Sequence, residues 1–496
     1  MKLYLTGHDC KYAAEQMLLT LFPGERPEYP DTLPRPEDPS AQICAQREYG
    51  SGELLRVETR LHWGGRDWTG TWTGPLAGTA EEREWTLRHG VRLSFYQAGV
   101  QALGKEPPWG ALTGVRPVKL PTRDMKRGLT RTEAGQRLEQ IYRVSHRRAE
   151  LALDCAQASL AAQAALNEHE VSLYVGIPFC PTRCAYCSFV SAGVGRTLKL
   201  VEPFLEALER EIAAAGRALA QAGRQVRTVY IGGGTPTTLS APQLDRLMGT
   251  LAEHIDLSAC TEYTVEAGRP DTITAEKLDV LRRRGAGRVS VNPQSMDGRV
   301  LSAMGRAHRA EDIVNAYTLV RERGIPCVNM DLIAGLPADS PAGFQSSLEQ
   351  VLTLGPENIT VHTLALKKGS QLMNGTQEGP ALPSGEAVAG MLDYAWDTLA
   401  AAGQRPYYLY RQKYMSGSFE NVGWTRPGFE GIYNICMMEE LHTIVSLGGG
   451  GVTKLVDARR GRIQRLTNAK YPQEYLRDID KALADKEKLP SFYSQG

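Results

Sequence analysis

Short segments rich in Val, Ile and Tyr alternate with helical segments through the middle of this chain. Six strand candidates occur, at residues 172–179, 226–234, 262–268, 288–294, 326–337 and 358–366. Helical patterns separate them, for example at residues 204–220 and 313–324. Strands and helices that alternate in this way form a parallel sheet through right-handed crossovers. The pattern therefore predicts an α/β fold in which six βα units curl into a full or partial barrel, with the chemistry at the carboxyl ends of the strands.

The segments on either side of this repeat are organised differently. An α+β N-terminal domain is predicted for residues 1–168, and the barrel for residues 169–370. A small mixed C-terminal domain is predicted for residues 371–496, where we expect it to cover the substrate. The N-terminal pattern consists of a strand and helix (1–22), a Pro-rich loop (23–40), paired strands (53–63 and 66–74) and a helix near 80–104. The C-terminal pattern consists of a helix (385–403), an aromatic strand (406–414), a glycine run (447–451) and a late helix (471–488).

Composition excludes several classes of protein. The chain has 496 residues, with 57 Lys and Arg against 56 Asp and Glu, so a wholly basic nucleic-acid coat is disfavoured. Residues 115–149 hold ten basic against three acidic side chains, which we interpret as a solvated helical face and not as a nucleic-acid site. No apolar run is long enough for a membrane helix, and we expect no signal peptide, because the start MKLYLTGHDCKYAAEQ has no long apolar region followed by a small-residue cleavage site. We therefore expect a cytoplasmic protein whose nine cysteines are reduced or ligate metal.

Three cysteines follow the first barrel strand in a CxxxCxxC pattern. Cys180, Cys184 and Cys187 stand among Pro, Arg and Tyr on a short loop, whereas unligated core thiols would stand at apolar positions. Soft thiolates suit iron–sulfur chemistry, and three of them would leave one iron of a 4Fe-4S cluster open to a small molecule. Zinc is the main alternative. A structural zinc site needs four ligands, however, and the sequence contains no second CxxC and no HxxxH pair.

Residues 174–189, YVGIPFCPTRCAYCSF, resemble the cluster loop of radical S-adenosylmethionine (SAM) enzymes. More narrowly, they resemble the oxygen-independent coproporphyrinogen III dehydrogenase (oxidase) group, whose loop reads Y-x-H-I-P-F-C-x3-C-x-Y-C. The resemblance runs through roughly 171–370, and the segments WGALTGVRPVK (109–119) and YNICMMEE (433–440) match the long, Gram-positive-type branch. It implies a radical SAM partial (β/α)6 barrel that binds a 4Fe-4S cluster and S-adenosyl-L-methionine.

The resemblance also implies which residues contact these cofactors. The cluster ligands would be the three cysteines above, flanked by two tyrosines. The carried-over SAM residues lie at the ends of successive strands: the GGGTP segment would contact the amino group, a Glu the cationic centre, an Arg the carboxylate, and an Asp the ribose. By number, these residues are Tyr174, Tyr186, Gly233, Gly234, Thr235, Glu266, Gln294, Arg306, Asp331 and Ala365. Taken singly, GGGTP is also typical of a tight turn, Arg306 of a helix surface, and the tyrosines of core packing.

Four positions depart from the family pattern. Gly176 stands where the family has His, and the family's E-A-N-P is E-A-G-R-P here, with Arg269 next to Pro270. The family's G-x-Q-S is N-P-Q-S here, with Pro293 before Gln294. The terminal G-L-G-x-x-A-x-S is matched only loosely, by LGGGGVTK. Cluster and SAM binding are unaffected by these changes, which bear on the identity of the substrate.

The resemblance implies oxidative decarboxylation of coproporphyrinogen III propionates to vinyl groups, giving protoporphyrinogen IX. It also implies a monomer served by a one-electron donor such as flavodoxin or ferredoxin, with no membrane or nucleic-acid partner. Lys367, Lys368, Arg411 and Lys413 are candidates for binding substrate carboxylates. Tyr407, Tyr408 and Tyr410 are candidates either for a macrocycle wall or for a strand core. The alternatives are a haem-binding chaperone of the same superfamily and another radical SAM enzyme that acts on haem or RNA.

Overall fold

The computed structural model describes residues 1–31, 38–49, 52–182, 184–187, 192–193, 197–306, 308–365, 381–412 and 419–494. The chain divides into two compact units. The first comprises Met1–Leu153 with Arg411–Phe419, and the second Asp154–Tyr410 with Glu420–Gly496. The three-domain division at residues 168 and 370 stays a prediction.

The first unit is an α+β structure, as the sequence predicts. Its sheet has the order β1-β2-β3-β4, with β1 parallel to β2 and the remaining pairs antiparallel. The strands are β1 (Lys2–Thr6), β2 (Ser40–Tyr49), β3 (Glu53–Trp63) and β4 (Arg66–Pro75). The helices are α1 (Lys11–Leu21), α2 (Ala80–Leu103), α3 (Lys119–Lys126), α4 (Arg131–Tyr142) and α5 (His146–Ala164), and α5 spans the division between the units. Alternation along β2 and β3 buries Ile43, Val57 and Leu61 in a core shared with α1 and α2.

Six parallel strands form the centre of the second unit. The elements, in chain order, are β5 (Glu170–Ile177), β6 (Phe179–Cys180), β7 (Ala192–Gly193), α6 (Val201–Gln221), β8 (Gln225–Gly233), α7 (Ala241–His254), β9 (Glu262–Gly268), α8 (Ala275–Arg283), β10 (Arg288–Val291), α9 (Gly298–Ala303), α10 (Ala310–Glu322), β11 (Cys327–Ala334), α11 (Pro341–Leu354) and β12 (Asn358–Thr363). The parallel pairs run β5-β8-β9-β10-β11-β12. This arrangement confirms the partial (β/α)6 barrel, and each strand candidate in the sequence corresponds to one of these six strands.

The C-terminal elements extend this sheet at both edges. They are α12 (Gly385–Ala401), β13 (Arg405–Arg411), β14 (Glu420–Thr425), α13 (Ile432–Glu439), β15 (Ile444–Gly448), β16 (Val452–Asp457), β17 (Arg462–Thr467), α14 (Pro472–Arg477) and α15 (Ile479–Ser494). Strand β14 pairs antiparallel with β12, and β15 pairs parallel with β5. Eleven of the described strands of the second unit therefore form one sheet, in the order β13-β14-β12-β11-β10-β9-β8-β5-β15-β16-β17, and β6 pairs separately with β7.

A belt of polar side chains crosses the amino ends of the central strands. Ser172 and Thr228 share a hydrogen bond of 2.6 Å, and Arg288 forms an ion pair with Glu262 at 3.3 Å. Glu262 also accepts hydrogen bonds from the backbone N–H groups of Ile432 (2.6 Å) and Tyr433 (3.3 Å), the first residues of α13. Helix α13 is thus fixed at the amino ends of the strands. We therefore look for the functional site at the opposite, carboxyl ends, where barrel folds of this kind place their active sites.

Candidate active site

Glu266 lies near the carboxyl end of β9 and joins that strand to β8. Its Oε1 accepts a hydrogen bond from the Tyr230 hydroxyl at 2.5 Å, and its Oε2 accepts one from the Gly233 backbone N–H at 3.2 Å. Burial raises the pKa of Glu266 to about 7. The Tyr230 and Gly233 hydrogen bonds oppose this rise, and the nearby Asp331 carboxylate adds to it. Glu266 can therefore hold or release a proton near neutral pH, and a cation bound beside it would favour its charged form.

Asp331, on β11, is the second carboxylate at this edge of the sheet. The Asn329 amide donates to its Oδ1 at 2.7 Å, and the His362 ring lies 3.7 Å from its Oδ2. Burial opposes ionisation of Asp331, but the His362 ring and the Asn329 hydrogen bond outweigh burial and hold its pKa below the ordinary value. Asp331 is therefore an ionised acceptor, in contrast to Glu266, and suits a hydroxyl donor.

Gln294 follows β10 in a backbone conformation that non-glycine residues rarely adopt. Its φ is +68°, and its side chain is buried. The Gln294 N–H donates to the Asp331 carbonyl at 2.8 Å, and the Gln294 carbonyl accepts from Ile333 at 3.0 Å. Two backbone hydrogen bonds to β11 therefore hold this strained residue beside Asp331.

The GGGTP segment fastens the end of β8 to the cysteine loop. The Thr235 N–H donates to the Phe179 carbonyl at 2.8 Å, and the Thr235 hydroxyl lies 3.5 Å from the Cys180 sulfur. A Cβ atom on Gly234 would lie 2.5 Å from the Phe179 carbonyl oxygen and 3.0 Å from the Cys180 sulfur. Only glycine fits at position 234, so the segment is more than a tight turn.

The three cysteines lie on the loop that follows β5. Cys180 and Cys184 are buried, and Cys187 is half-buried. The Cys187 N–H donates to the Cys184 carbonyl at 3.1 Å, and the Ala185 N–H donates to the Met304 carbonyl at 3.1 Å. Within the described ranges, no set of three His, Cys, Asp or Glu side chains is arranged to hold a single metal ion.

Arg306 lies after α9 and is buried, so its interpretation as a helix-surface residue is wrong. Its exposed fraction is 8%. One Nη donates to the Asn292 carbonyl at 2.8 Å, and the other donates to the Tyr186 hydroxyl at 3.2 Å. Its Nε has no hydrogen-bond partner among the residues that the structure describes. A buried donor without a partner is costly, so a bound carboxylate would be favourable here.

The sequence of the barrel matches a known family. The pattern of the radical SAM superfamily matches residues 174–351. The oxygen-independent coproporphyrinogen-III oxidase-like protein HemZ of Bacillus subtilis (strain 168) is 40% identical over 388 residues, which cover 78% of this chain and 77% of HemZ. The chain belongs to the radical SAM superfamily. Within it, the chain belongs to the family of oxygen-independent coproporphyrinogen III oxidase-like proteins.

Two further relatives of this radical SAM protein differ in what their names say they do. The haem chaperone HemW of Lactococcus lactis subsp. lactis (strain IL1403) is 32% identical over 265 residues, which cover 53% of this chain and 64% of HemW. The structure of the coproporphyrinogen III oxidase HemN of Escherichia coli matches with a TM-score of 0.52 at 27% identity, over 66% of this chain and 72% of HemN. These matches confirm the predicted fold and leave the specific activity to be argued.

Membership of the radical SAM superfamily implies a 4Fe-4S cluster and SAM, and the residues present fit both. Three thiols on one loop are the donor set that an open cluster needs, and each would bind its own iron. The unpartnered Arg306 Nε, the ionised Asp331 and the titratable Glu266 offer one donor and two acceptors to a small zwitterion. None of the described helices is long and apolar enough to cross a membrane.

Of the four candidate carboxylate-binding residues, the structure describes Arg411 alone. Lys367, Lys368 and Lys413 lie outside the described residues. Arg411 is buried in the first unit, where it donates to the Leu112 carbonyl at 2.5 Å. Its guanidinium also lies 5.2 Å from the Trp109 ring centroid, so these contacts do not favour a role in binding substrate carboxylates.

The tyrosines after β12 and the last carried-over residue are also described. Tyr407 and Tyr408 are buried in a cluster with Ile435, and Tyr410 packs against it, which favours the strand-core interpretation. Ala365 is half-buried and lies two residues after the end of β12.

Sequence reasoning missed two tyrosines that join Tyr174. The rings of Tyr230 and Tyr433 stack with centroids 4.4 Å apart, and Tyr174 lies 6.3 Å and 6.4 Å from them, all within 20° of parallel. Tyr174 therefore packs in this stack, directly opposite Tyr230 in the pairing of β5 with β8. The signal was present: Tyr230 directly precedes the Ile-Gly-Gly-Gly segment, and Tyr433 opens the YNICMMEE segment.

Proposed function

We propose that this protein catalyses the oxygen-independent oxidative decarboxylation of coproporphyrinogen III to protoporphyrinogen IX. The observation that carries the proposal is a group of ionisable side chains at the barrel's strand ends. It comprises the half-buried Glu266 and Asp331 and the buried Arg306, which donates to Tyr186 on the loop with three cysteines. The 40% identity to HemZ, named as coproporphyrinogen-III oxidase-like, supports the choice of substrate class.

In this proposal Cys180, Cys184 and Cys187 hold the iron–sulfur cluster, and the strand ends hold SAM. When bound, these cofactors supply a radical that abstracts a hydrogen atom from the substrate. Arg306 would hold the SAM carboxylate, and Gly233, Gly234 and Thr235 would contact its amino group. Tyr174, Tyr186, Gln294 and Ala365 complete the proposed SAM surroundings, with the two tyrosines beside the cluster.

The two carboxylates differ in their proposed tasks. Asp331 is ionised and would accept hydrogen bonds from the ribose hydroxyls. Burial raises the pKa of Glu266 to about 7, so Glu266 titrates near neutral pH. A sulfonium and ammonium cation bound beside Glu266 would favour its ionised form, since an opposite charge stabilises a buried carboxylate. Binding of the cofactor and deprotonation of Glu266 are therefore coupled.

An anaerobic turnover tests the proposal. The full chain is reconstituted with iron and sulfide and mixed with SAM, a low-potential reductant and coproporphyrinogen III. After oxidation, the porphyrins are separated by liquid chromatography and their masses are measured by mass spectrometry. We expect two carboxyl groups to be lost from each porphyrin, matched by 5′-deoxyadenosine. The Cys184→Ser variant is expected to form neither product, while Cys260→Ser, outside the loop, is expected to behave like the wild type. SAM cleavage with unchanged porphyrin would contradict the substrate assignment.

A haem chaperone is the second candidate function, and the match to HemW supports it. The same protein can be titrated with haem under anaerobic conditions, with the absorbance of the bound haem as readout. Saturable binding of one haem per chain, together with unchanged coproporphyrinogen in the turnover, would favour the chaperone. Decarboxylation without saturable haem binding would favour the enzyme.

A further inference from the structure

Arg269 stands at one of the positions where this chain departs from the family pattern, in EAGRP directly after β9. The residue is buried, with an exposed fraction of 4%. Its Nε and one Nη each donate to a carboxylate oxygen of Asp271 at 2.9 Å. Its other Nη donates to the Thr182 hydroxyl at 2.7 Å and lies 3.4 Å from the Thr182 carbonyl oxygen. Thr182 lies between Cys180 and Cys184, so the guanidinium joins β9 to the middle of the cysteine loop.

The loop is also held at its two ends by contacts of a different kind. Thr235, after β8, contacts its beginning through Phe179 and Cys180. The Met304 carbonyl, after α9, accepts from Ala185 between the last two cysteines. Arg269 supplies a contact between these two, and it does so with a side chain whose direction Asp271 fixes.

The ion pair with Asp271 makes the Arg269 guanidinium rigid. Burial would raise the pKa of Asp271, yet the Arg269 guanidinium lowers it overall, so the carboxylate is ionised at neutral pH. Two parallel hydrogen bonds between a guanidinium and a carboxylate set the plane of the guanidinium. The third nitrogen is then directed at Thr182, a geometry that a Lys ammonium cannot reproduce.

We infer that Arg269 is a positioning residue that holds Thr182, between Cys180 and Cys184, against the end of β9 and thereby slows the loss of the iron–sulfur cluster. The inference rests on the proposed function only in requiring that the loop binds a cluster. Residues behind metal ligands act in this way in other sites, where their replacement costs roughly 10- to 100-fold in metal affinity.

The test compares iron release from three variants of the full chain. The variants Arg269→Gln, Arg269→Lys and Thr182→Val are reconstituted anaerobically and mixed with a ferrous chelator, and the release rate is read from the absorbance of the iron–chelator complex. We expect release to be roughly 10-fold faster in Arg269→Gln. Arg269→Lys should resemble Arg269→Gln. A lysine keeps the positive charge, but its ammonium group cannot form the two parallel hydrogen bonds to Asp271 that direct the third nitrogen at Thr182. Thr182→Val, on the exposed side of the contact, should also release iron faster.

Two controls separate positioning from folding. Arg283→Gln removes an exposed arginine at the end of α8, which is paired with Asp245 of α7 at 2.9 Å, and it should release iron at the wild-type rate. The electron paramagnetic resonance signal of the reduced cluster should shift in Arg269→Gln and stay unchanged in Arg283→Gln. Circular dichroism of the chains should be the same.

The outcomes distinguish this inference from the proposed function. Wild-type release rates in both Arg269→Gln and Thr182→Val, in chains that carry a cluster, would overturn the inference alone. A wild-type chain that takes up no cluster would overturn the proposed function and the inference together.

Discussion

At Gly176 the backbone of β5 leaves no room for a side chain, although the family pattern has His there. A Cβ atom at this position would lie 2.4 Å from the carbonyl oxygen of Gly449, in the glycine run after β15. The Gly449 N–H also donates to the Gly176 carbonyl at 3.0 Å. The sequence showed both the missing His and the loosely matched glycine run, but not that the two departures meet. Contacts between residues so distant in sequence cannot be deduced from local pattern.

Replacing Gly176 by alanine should therefore destabilise the protein. We expect the free energy of unfolding to fall by about 1–3 kcal/mol, because the backbone must shift to accommodate the methyl group. The control is Gly390→Ala, on the exposed face of α12, where nothing lies within 4 Å of a new Cβ. Helix propensity predicts that this control is neutral or stabilising. Equal denaturant midpoints for Gly176→Ala and the wild type would contradict the account.

Glu266 should give the apo chain a characteristic pH dependence. Its pKa of about 7 in the folded chain exceeds the ordinary value of 4.5. Between pH 4.5 and pH 7, Glu266 is ionised in the unfolded chain but protonated in the folded chain. The free energy of unfolding therefore falls as the pH rises through this range. Relative to Glu266→Gln, we expect the wild type to lose on the order of 2–3 kcal/mol between pH 4.5 and 7, and the loss to level off within about one pH unit above that. Denaturant unfolding at several pH values measures this difference, and a flat difference would refute it.

Among the helices and strands, the sequence predicted the six barrel strands and their helices well, but not which later strands pair with them. Strands β5, β8, β9, β11 and β12 alternate or are continuously apolar over enough residues to be recognised, and Gly and Pro mark their ends. The sequence predicted a small mixed C-terminal domain but did not predict that β14 and β15 pair with β12 and β5. Pairing depends on contacts far apart in sequence, which periodicity does not encode. For the same reason, the sequence identified YNICMMEE only by its resemblance to the family. It did not predict a helix over Ile432–Glu439 whose first N–H groups are capped by Glu262.

Helix α13 should loosen when its cap is removed. Glu262 accepts from the Ile432 and Tyr433 N–H groups and pairs with Arg288. We expect Glu262→Gln to reduce the free energy of unfolding by about 3–5 kcal/mol, because a buried arginine loses its partner. Hydrogen exchange in residues 432–439 should become faster. The control is Glu253→Gln, at an exposed position on α7. Unchanged exchange in α13 would show that Glu262 does not fix this helix.

For the whole second unit, one buried ion pair joins the C-terminal helices to the barrel. Lys486 on α15 lies 2.8 Å from Glu211 on α6, and their exposed fractions are 2% and 0%. Glu211 also accepts from the Tyr475 hydroxyl at 2.6 Å, the Asn468 amide at 2.7 Å and the Gly448 N–H at 2.8 Å. A single carboxylate thus connects α6 to four later segments. The sequence predicted the late helix but gave no sign that its lysine would be buried.

Breaking this pair should destabilise the chain strongly, and removing both partners should do so less. We expect Lys486→Met to cost about 3–5 kcal/mol, since it leaves the Glu211 charge buried without a cation. The double variant Glu211→Gln, Lys486→Met should recover part of that loss, because no unpaired charge remains. Denaturant unfolding of the two single variants and the double variant measures the coupling. Strictly additive losses would show that the two side chains do not act as a pair.

In the proposed function, the site directs radical chemistry at the propionate side chains of coproporphyrinogen III. The most direct test uses substrate deuterated at the β-carbons of its propionates, in the anaerobic reaction with SAM and reductant. We expect 5′-deoxyadenosine to carry deuterium and each transferred deuterium to accompany one lost carboxyl group. Mass spectrometry of the nucleoside and the porphyrin gives both quantities. Formation of 5′-deoxyadenosine without deuterium would contradict the claim.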